Sequence, residues 1–321
     1  MKKWRWLATA KYILIMAAIL GLFSCSRTAA NSSTAGNAAG VMPHNGIQRT
    51  YRLHVPSSCT REAPVPLVLA LHGGGGSGQK MEELSGLSDQ SDNDGFIVVY
   101  PDAVENHWND GRGLQNYRSQ RENIDDVGFI ASLIDALAKI YPVDRKRVYV
   151  TGVSNGAMMS YRLACELTDT ISAIAPVVGA LAANTVKTCS PSGAVAVLII
   201  GGTADPLVPW EGGNIKFFRR KLGNVVSFAD TLDFWVSHNR CPQTPEVSWL
   251  PDTDPHDGTR VKKTIYRQCT QGVEVALYEI RGGGHTWPSG SQYLPEYLIG
   301  KTSRDFKGSE VIWKFFKKFS K

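Results

Sequence analysis

The sequence predicts an α/β fold: a doubly wound, mostly parallel sheet with helices on both faces. Short, continuous apolar runs recur along the chain, PLVLALHG, FIVVYPD, RVYVTG, SAIAPVVGA and AVLIIGGTAD, each closed by Gly, Pro or Asp. Runs that do not alternate suit strands buried on both faces, as in a parallel sheet. Between them, Val127, Ile130, Ile134, Leu137 and Tyr141 fall at helical spacing over Asp126 to Tyr141, with Asp125 or Asp126 as N-cap. Strand and helix patterns alternate from about Thr50 onward without an internal repeat, which is the signature of a doubly wound sheet.

The elements follow in order. Lys2, Lys3, Arg5 and Lys11 precede the apolar run Tyr12 to Phe23, the layout of a secretory signal over residues 1–25. The run is short for a bilayer span. It ends Leu22-Phe23-Ser24-Cys25, which resembles a bacterial lipobox, so Cys25 is the expected lipidation site and the protein is expected to be exported and anchored to a membrane. The Ser/Thr/Ala/Asn/Gly stretch that follows has little to bury, and residues 26–46 read as a flexible tether. A single catalytic domain is then expected over 47–321. Tyr51 to Val55 alternates as a strand. Phe228 to His238 and Glu310 to Phe319 read as helices, and the Pro- and Asp-rich Pro242 to Gly258 as a surface excursion.

The net charge of +6 overstates the exported part, because removing the four cations of the signal leaves about +2. No basic stripe points to nucleic acid. Beyond Cys25 there remain Cys59, Cys165, Cys189, Cys241 and Cys269, and an oxidising compartment permits disulfides. Sequence leaves connectivity open. Cys165 with Cys189 and Cys241 with Cys269 are the expected pairs because each brackets one segment, and Cys59 is left over. No metal-ligand spacing is present. The run Asp252-Thr-Asp254-Pro-His-Asp257-Gly258 lacks the closing Glu of a calcium loop, so neither metal nor cofactor is expected.

Chemistry concentrates at RVYVTGVSNGAMMSYRLA, Arg147 to Ala164. Gly152-Val153-Ser154-Asn155-Gly156 fits G-x-S-x-G, a pattern that recurs by chance and gains weight here from the strand before it and the helix after it. A serine at such a joint needs a sharp, strained turn, and glycines two positions either side remove colliding Cβ atoms. The helix N-terminus then faces the hydroxyl and favours developing negative charge. Serine needs a base, commonly histidine held by a carboxylate, in the chain order Ser, acid, His on this type of sheet. Asp205 follows the run AVLIIGG, and His285 follows VEVALYEIRGGG. Both fall at strand C-terminal ends, where open α/β sheets gather their sites. The oxyanion donors are expected from Asn155 N–H and from the loop His72-Gly73-Gly74-Gly75-Gly76, with Gly74 preferred and Gly73 or Gly75 open.

At these residues the chain resembles secreted α/β-hydrolases of the polyhydroxybutyrate depolymerase and feruloyl esterase group. LALHGGGGS, HWNDGRG, DDVGF, GVSNGAMMSYRLACEL, GTADPLVP and GGGHTWP carry the likeness from about Ile47 to the C-terminus. The resemblance implies a carboxylic ester hydrolase in which Ser154, Asp205 and His285 match the triad positions. It makes Trp108, Asn109 and Trp287 candidates for substrate contact. The expected substrates are cinnamoyl esters of plant cell-wall polysaccharide, with hydroxybutyrate oligomers as the alternative. A peptidase on the same scaffold and a non-catalytic binding lipoprotein are the other readings.

Overall fold

A computed structural model describes residues 35–60, 62–217 and 220–321. The expected signal and the lipobox-like Cys25 lie outside the described residues. The strands are β1 (Gly36–His44), β2 (Ile47–Val55), β3 (Val65–Leu71), β4 (Ile97–Pro101), β5 (Val143–Val153), β6 (Ala173–Val177), β7 (Ala196–Gly202), β8 (Gly213–Phe217), β9 (Arg220–Val225), β10 (Glu246–Trp249), β11 (Arg260–Tyr266) and β12 (Val275–Arg281). Ten of these form one sheet in the order β1-β2-β4-β3-β5-β6-β7-β12-β11-β10, and β8 pairs with β9 in a separate hairpin. From β4 to β12 neighbouring strands are parallel, while β1, β2, β11 and β10 add antiparallel flanks.

The continuous apolar runs are the parallel strands, and their side chains are buried throughout β4, β6 and β7. The helices are α1 (Gly78–Ser85), α2 (Leu87–Asp94), α3 (Arg118–Arg121), α4 (Asp126–Ile140), α5 (Asn155–Glu166), α6 (Ala183–Thr188), α7 (Phe228–His238), α8 (Glu296–Ile299) and α9 (Gly308–Phe316). Helix α4 begins where Asp125 accepts a hydrogen bond from Gly128 N–H, the cap read from the sequence. It packs beside α5, and Tyr161 of α5 stacks on Trp235 of α7. On the opposite face α9 packs against α2, with Phe316 stacked on Tyr149 of β5 and Trp313 on Phe96.

One expectation needs correction. Gly36–His44, assigned to the tether, forms β1 and pairs along its length with β2. Backbone hydrogen bonds from the hairpin at Asn45-Gly46 hold it, so a stretch with few apolar side chains still becomes a strand. The excursion Pro242 to Gly258 runs mostly over the surface, as expected, and carries β10, an edge strand exposed at every position. The disulfides are Cys165–Cys189 and Cys241–Cys269, as expected, and Cys59 is a half-buried free thiol. Two disulfides fit an oxidising compartment outside the cytosol.

Candidate active site

Parallel strands β5, β6, β7 and β12 lie side by side, so their C-terminal ends share one edge of the sheet. Ser154 follows β5, Asp205 lies just past β7 and His285 lies just past β12. Three segments distant in sequence thus arrive at one rim.

Ser154 adopts φ 57°, ψ −115°, a conformation rarely open to a residue with a Cβ. The surrounding glycines explain how the turn fits. A Cβ on Gly152 would stand 2.5 Å from the carbonyl oxygen of Gly156, and one on Gly156 would stand 2.3 Å from that of Leu71. Beyond the strand, Gly179 must also lack a side chain, since its Cβ would meet Ala157 Cβ at 2.7 Å and the Ser154 carbonyl at 2.9 Å. The turn is fixed on a second side by Ser154 N–H donating to Val177 O at 3.0 Å.

The candidate acid and base are joined directly. His285 Nδ1 lies 2.7 Å from Asp205 Oδ2, with both side chains buried. The other carboxylate oxygen, Oδ1, accepts the N–H groups of Leu207 and Val208 at 2.8 and 2.9 Å. Those two donors fix the carboxylate and leave Oδ2 aimed at the ring. His285 N–H in turn donates to Ile299 O, and Tyr293 Oη donates to His285 O at 2.8 Å. Among the described residues no hydrogen bond joins Ser154 Oγ to His285; catalytic contacts of this kind commonly close only around substrate.

Asn155, directly after the serine, opens α5, so its backbone N–H has no partner within the helix. Its side chain is a clamp. Oδ1 accepts Trp108 N–H at 2.8 Å, and Nδ2 donates to Trp108 O at 3.2 Å and to Asp110 Oδ2 at 2.5 Å. Buried Asp110 also receives Arg112 Nε, Arg112 N–H and Gln120 Nε2, so both its oxygens are hydrogen-bonded. The 108–112 loop is thereby tied to Asn155, the candidate for one oxyanion donor.

The glycine loop is the candidate source of the other. Gly75 N–H donates to Asn106 O and Gly76 N–H to Gly73 O, which removes both as donors to a ligand. Gly74 stands beside Asn155: a Cβ on it would lie 3.7 Å from Asn155 Cβ. His72 holds this loop. Its Nε2 accepts Ala103 N–H at 3.0 Å, so Nδ1 carries the proton and donates to Gly73 O at 2.7 Å. Burial lowers the His72 pKa to about 4, so the ring stays neutral and the tautomer fixed.

Trp108, Asn109 and Trp287, expected to touch substrate, are buried. Trp108 is 0 % exposed and donates its indole N–H to His72 O. Asn109 is spent on Asn123 and Ile124 O, and Trp287 packs against Gly308 at the start of α9. These side chains brace the loops around the site. Sequence reasoning missed His107, whose Nε2 would lie 3.0 Å from a Cβ on Gly74 and whose ring stacks on Tyr117 at 3.7 Å. The available signal was its place beside Trp108 in HWNDGRG. The carboxylates of the Asp252–Gly258 run organise turns: Asp257 accepts Thr259 N–H and Arg304 N–H, and Asp254 accepts His256 N–H.

A mostly parallel sheet with helices on both faces and a strained serine at a strand-to-helix joint define an α/β-hydrolase. The chain belongs to the family described as esterase PHB depolymerase, whose model matches residues 49–212, a span that takes in Ser154 and Asp205. NocK of Nocardia uniformis subsp. tsuyamanensis, which carries an esterase name, is 30% identical over 277 residues, 84% of this chain and 79% of that protein. Feruloyl esterase B of Piromyces equi is 30% identical over 236 residues, 72% of this chain but only 41% of the longer relative. Among solved structures, acetyl xylan esterase from Aspergillus awamori superposes with a TM-score of 0.52 at 17% identity, covering 78% of this chain and 94% of that one, and shares the fold. The chain is a carboxylic ester hydrolase.

Proposed function

We propose that the protein hydrolyses cinnamoyl-type esters of plant cell-wall polysaccharide through an acyl-enzyme formed on Ser154. The observation that carries the proposal is the buried Asp205–His285 pair at the strand edge that also presents Ser154. Ser154 Oγ attacks the ester carbonyl as His285 Nε2 takes its proton. Asp205 keeps the proton on Nδ1 and stabilises the charged ring. The oxyanion receives the N–H groups of Asn155 and Gly74, at the positive end of α5. His285 then protonates the departing alcohol, and water activated by the same ring frees the acid.

Feruloyl esterases recur among the relatives, including those of Piromyces equi and Neurospora crassa. The His107–Tyr117 stack beside Gly74 supports an aromatic acyl group, since it offers a flat ring face next to the reacting carbonyl. The family name favours hydroxybutyrate oligomers as a second substrate class. Export, with a lipid on Cys25 tethering the domain to a membrane, is part of the same proposal. A panel of methyl ferulate, acetylated xylan and hydroxybutyrate oligomers tests the acyl assignment: preference for methyl ferulate supports it, and turnover of hydroxybutyrate oligomers alone overturns it. Palmitate labelling of the full chain, lost in Cys25→Ala, tests the anchor.

A further inference from the structure

A cleft of about 560 Å³ lies beside Asp205, lined also by Thr203, Pro209, Trp210, Glu211, Glu279 and Arg281. None of its residues apart from Asp205 has a part in the ester chemistry, yet they continue into an ordered surface row. Gly201, Glu279, Lys262 and Trp249 stand directly opposite one another on β7, β12, β11 and β10, so their side-chain positions share one face of the sheet. Phe228 fills the position of the absent Gly201 side chain, and Trp210 stacks on Phe228 at 4.6 Å and 9°. An indole therefore stands over each end of the row, whose end positions Gly201 and Trp249 are three interstrand steps or about 14 Å apart in the backbone. Between them Arg281 donates to Glu279 Oε1 at 2.9 Å while its guanidinium lies 4.7 Å from the Trp249 ring centre. Trp249 is nonetheless 46 % exposed.

We propose that this shelf, from Trp210 to Trp249, binds the sugar chain that carries the ester. The proposal rests on the reading of the site as an esterase for polysaccharide-linked acids. Its chemistry is selective. A pyranose ring has an apolar C–H face that lies on an indole and a rim of hydroxyls that both donate and accept, which matches carboxylates and a guanidinium alternating between two aromatic rings. An apolar polymer would strip water from Glu211 and from the Arg281–Glu279 pair without replacing its hydrogen bonds, at a desolvation cost. Position agrees. In the strand order the shelf lies on β7, β12, β11 and β10, on one side of β5 and Ser154, whereas His107 follows β4 on the other side. The row is long enough for a short run of sugars, so it acts on the alcohol half of the substrate.

The test uses unesterified β-1,4-xylohexaose, which contains nothing for the catalytic serine, titrated into the wild-type protein by calorimetry. Binding at millimolar concentration or below is expected, weakened about tenfold in Trp249→Ala and in Glu279→Gln. In parallel, kcat/KM on a feruloylated xylo-oligosaccharide divided by kcat/KM on methyl ferulate falls by a similar factor in both variants. Trp249 is on an exposed edge strand, so its variant folds even if changes at Trp210 do not. Absence of xylohexaose binding, or equal binding and an equal ratio in both variants, overturns the shelf. Xylohexaose binding without methyl ferulate turnover overturns the acyl assignment and leaves the shelf standing.

Discussion

The backbone at Ser154 gives a prediction that separates strain from chemistry. Held at φ 57°, ψ −115°, a residue with a Cβ costs about 1–3 kcal/mol relative to an unstrained one. Glycine enters that region freely, so Ser154→Gly relieves most of the cost. Against this, glycine gains freedom in the unfolded chain, which removes roughly 0.5–1 kcal/mol. Ser154→Ala keeps the Cβ and the strain. Both variants lack the hydroxyl, so the comparison between them cancels its contribution. Ser154→Gly is therefore expected to be more stable than Ser154→Ala by about 1 kcal/mol, a thermal shift of roughly 2–4 °C. Urea unfolding with disulfides intact measures the difference, and an aryl ester assay verifies that neither variant turns over. Equal stability, or a more stable alanine variant, would refute the claim that the fold stores strain at the serine.

The remaining predictions follow from the neighbouring residues. Burial holds His72 at about 4, below its ordinary value, so the unfolded chain binds the proton more readily. The stability this confers is complete above about pH 6.5 and is lost as pH falls toward 4, a change of about 3 kcal/mol. Urea midpoints at pH 7.5 and 4.5 should fall less steeply in His72→Gln than in the wild type, and equal slopes would contradict the buried neutral ring. Asp205→Asn can keep its oxygen toward Leu207 and Val208 N–H while turning an amide donor toward His285 Nδ1. That selects the wrong tautomer, and kcat on an aryl ester should drop about 10³–10⁴-fold with folding intact; a loss under tenfold would remove Asp205 from the mechanism. The two disulfides close loops of 24 and 28 residues. Cys165→Ala/Cys189→Ala should cost about 3–4 kcal/mol by loop-closure entropy, read from urea unfolding, and an unchanged midpoint would contradict a stabilising role.

Much of this site was legible because local chemistry dictated it. Gly152 and Gly156 had to be glycine, and the clashes at 2.5 and 2.3 Å supply the reason. Asp205 and His285 could be found because each ends a continuous apolar run, and such runs become parallel strands whose C-terminal ends meet. Helix α7 kept the bounds read from its pattern, Phe228 to His238. The misses depended on partners remote in sequence. Trp108 was a candidate for substrate contact, but its N–H, carbonyl and indole are taken by Asn155 and His72, 47 and 36 positions away. Strand β1 has little strand propensity of its own and exists through pairing with β2. The exposed β10 carries too few apolar residues to register as a strand, yet it brings Trp249 to the row that begins at Gly201.

A fluorophosphonate reaction followed by peptide mass spectrometry tests the central claim most directly. The account predicts one adduct on the tryptic peptide Val148 to Arg162, placed at Ser154 rather than at Ser160, whose hydroxyl is bonded to Gly156 O. His285→Ala should abolish labelling, because the account assigns that ring to activate the hydroxyl. Label on another serine, or full labelling without His285, would contradict it.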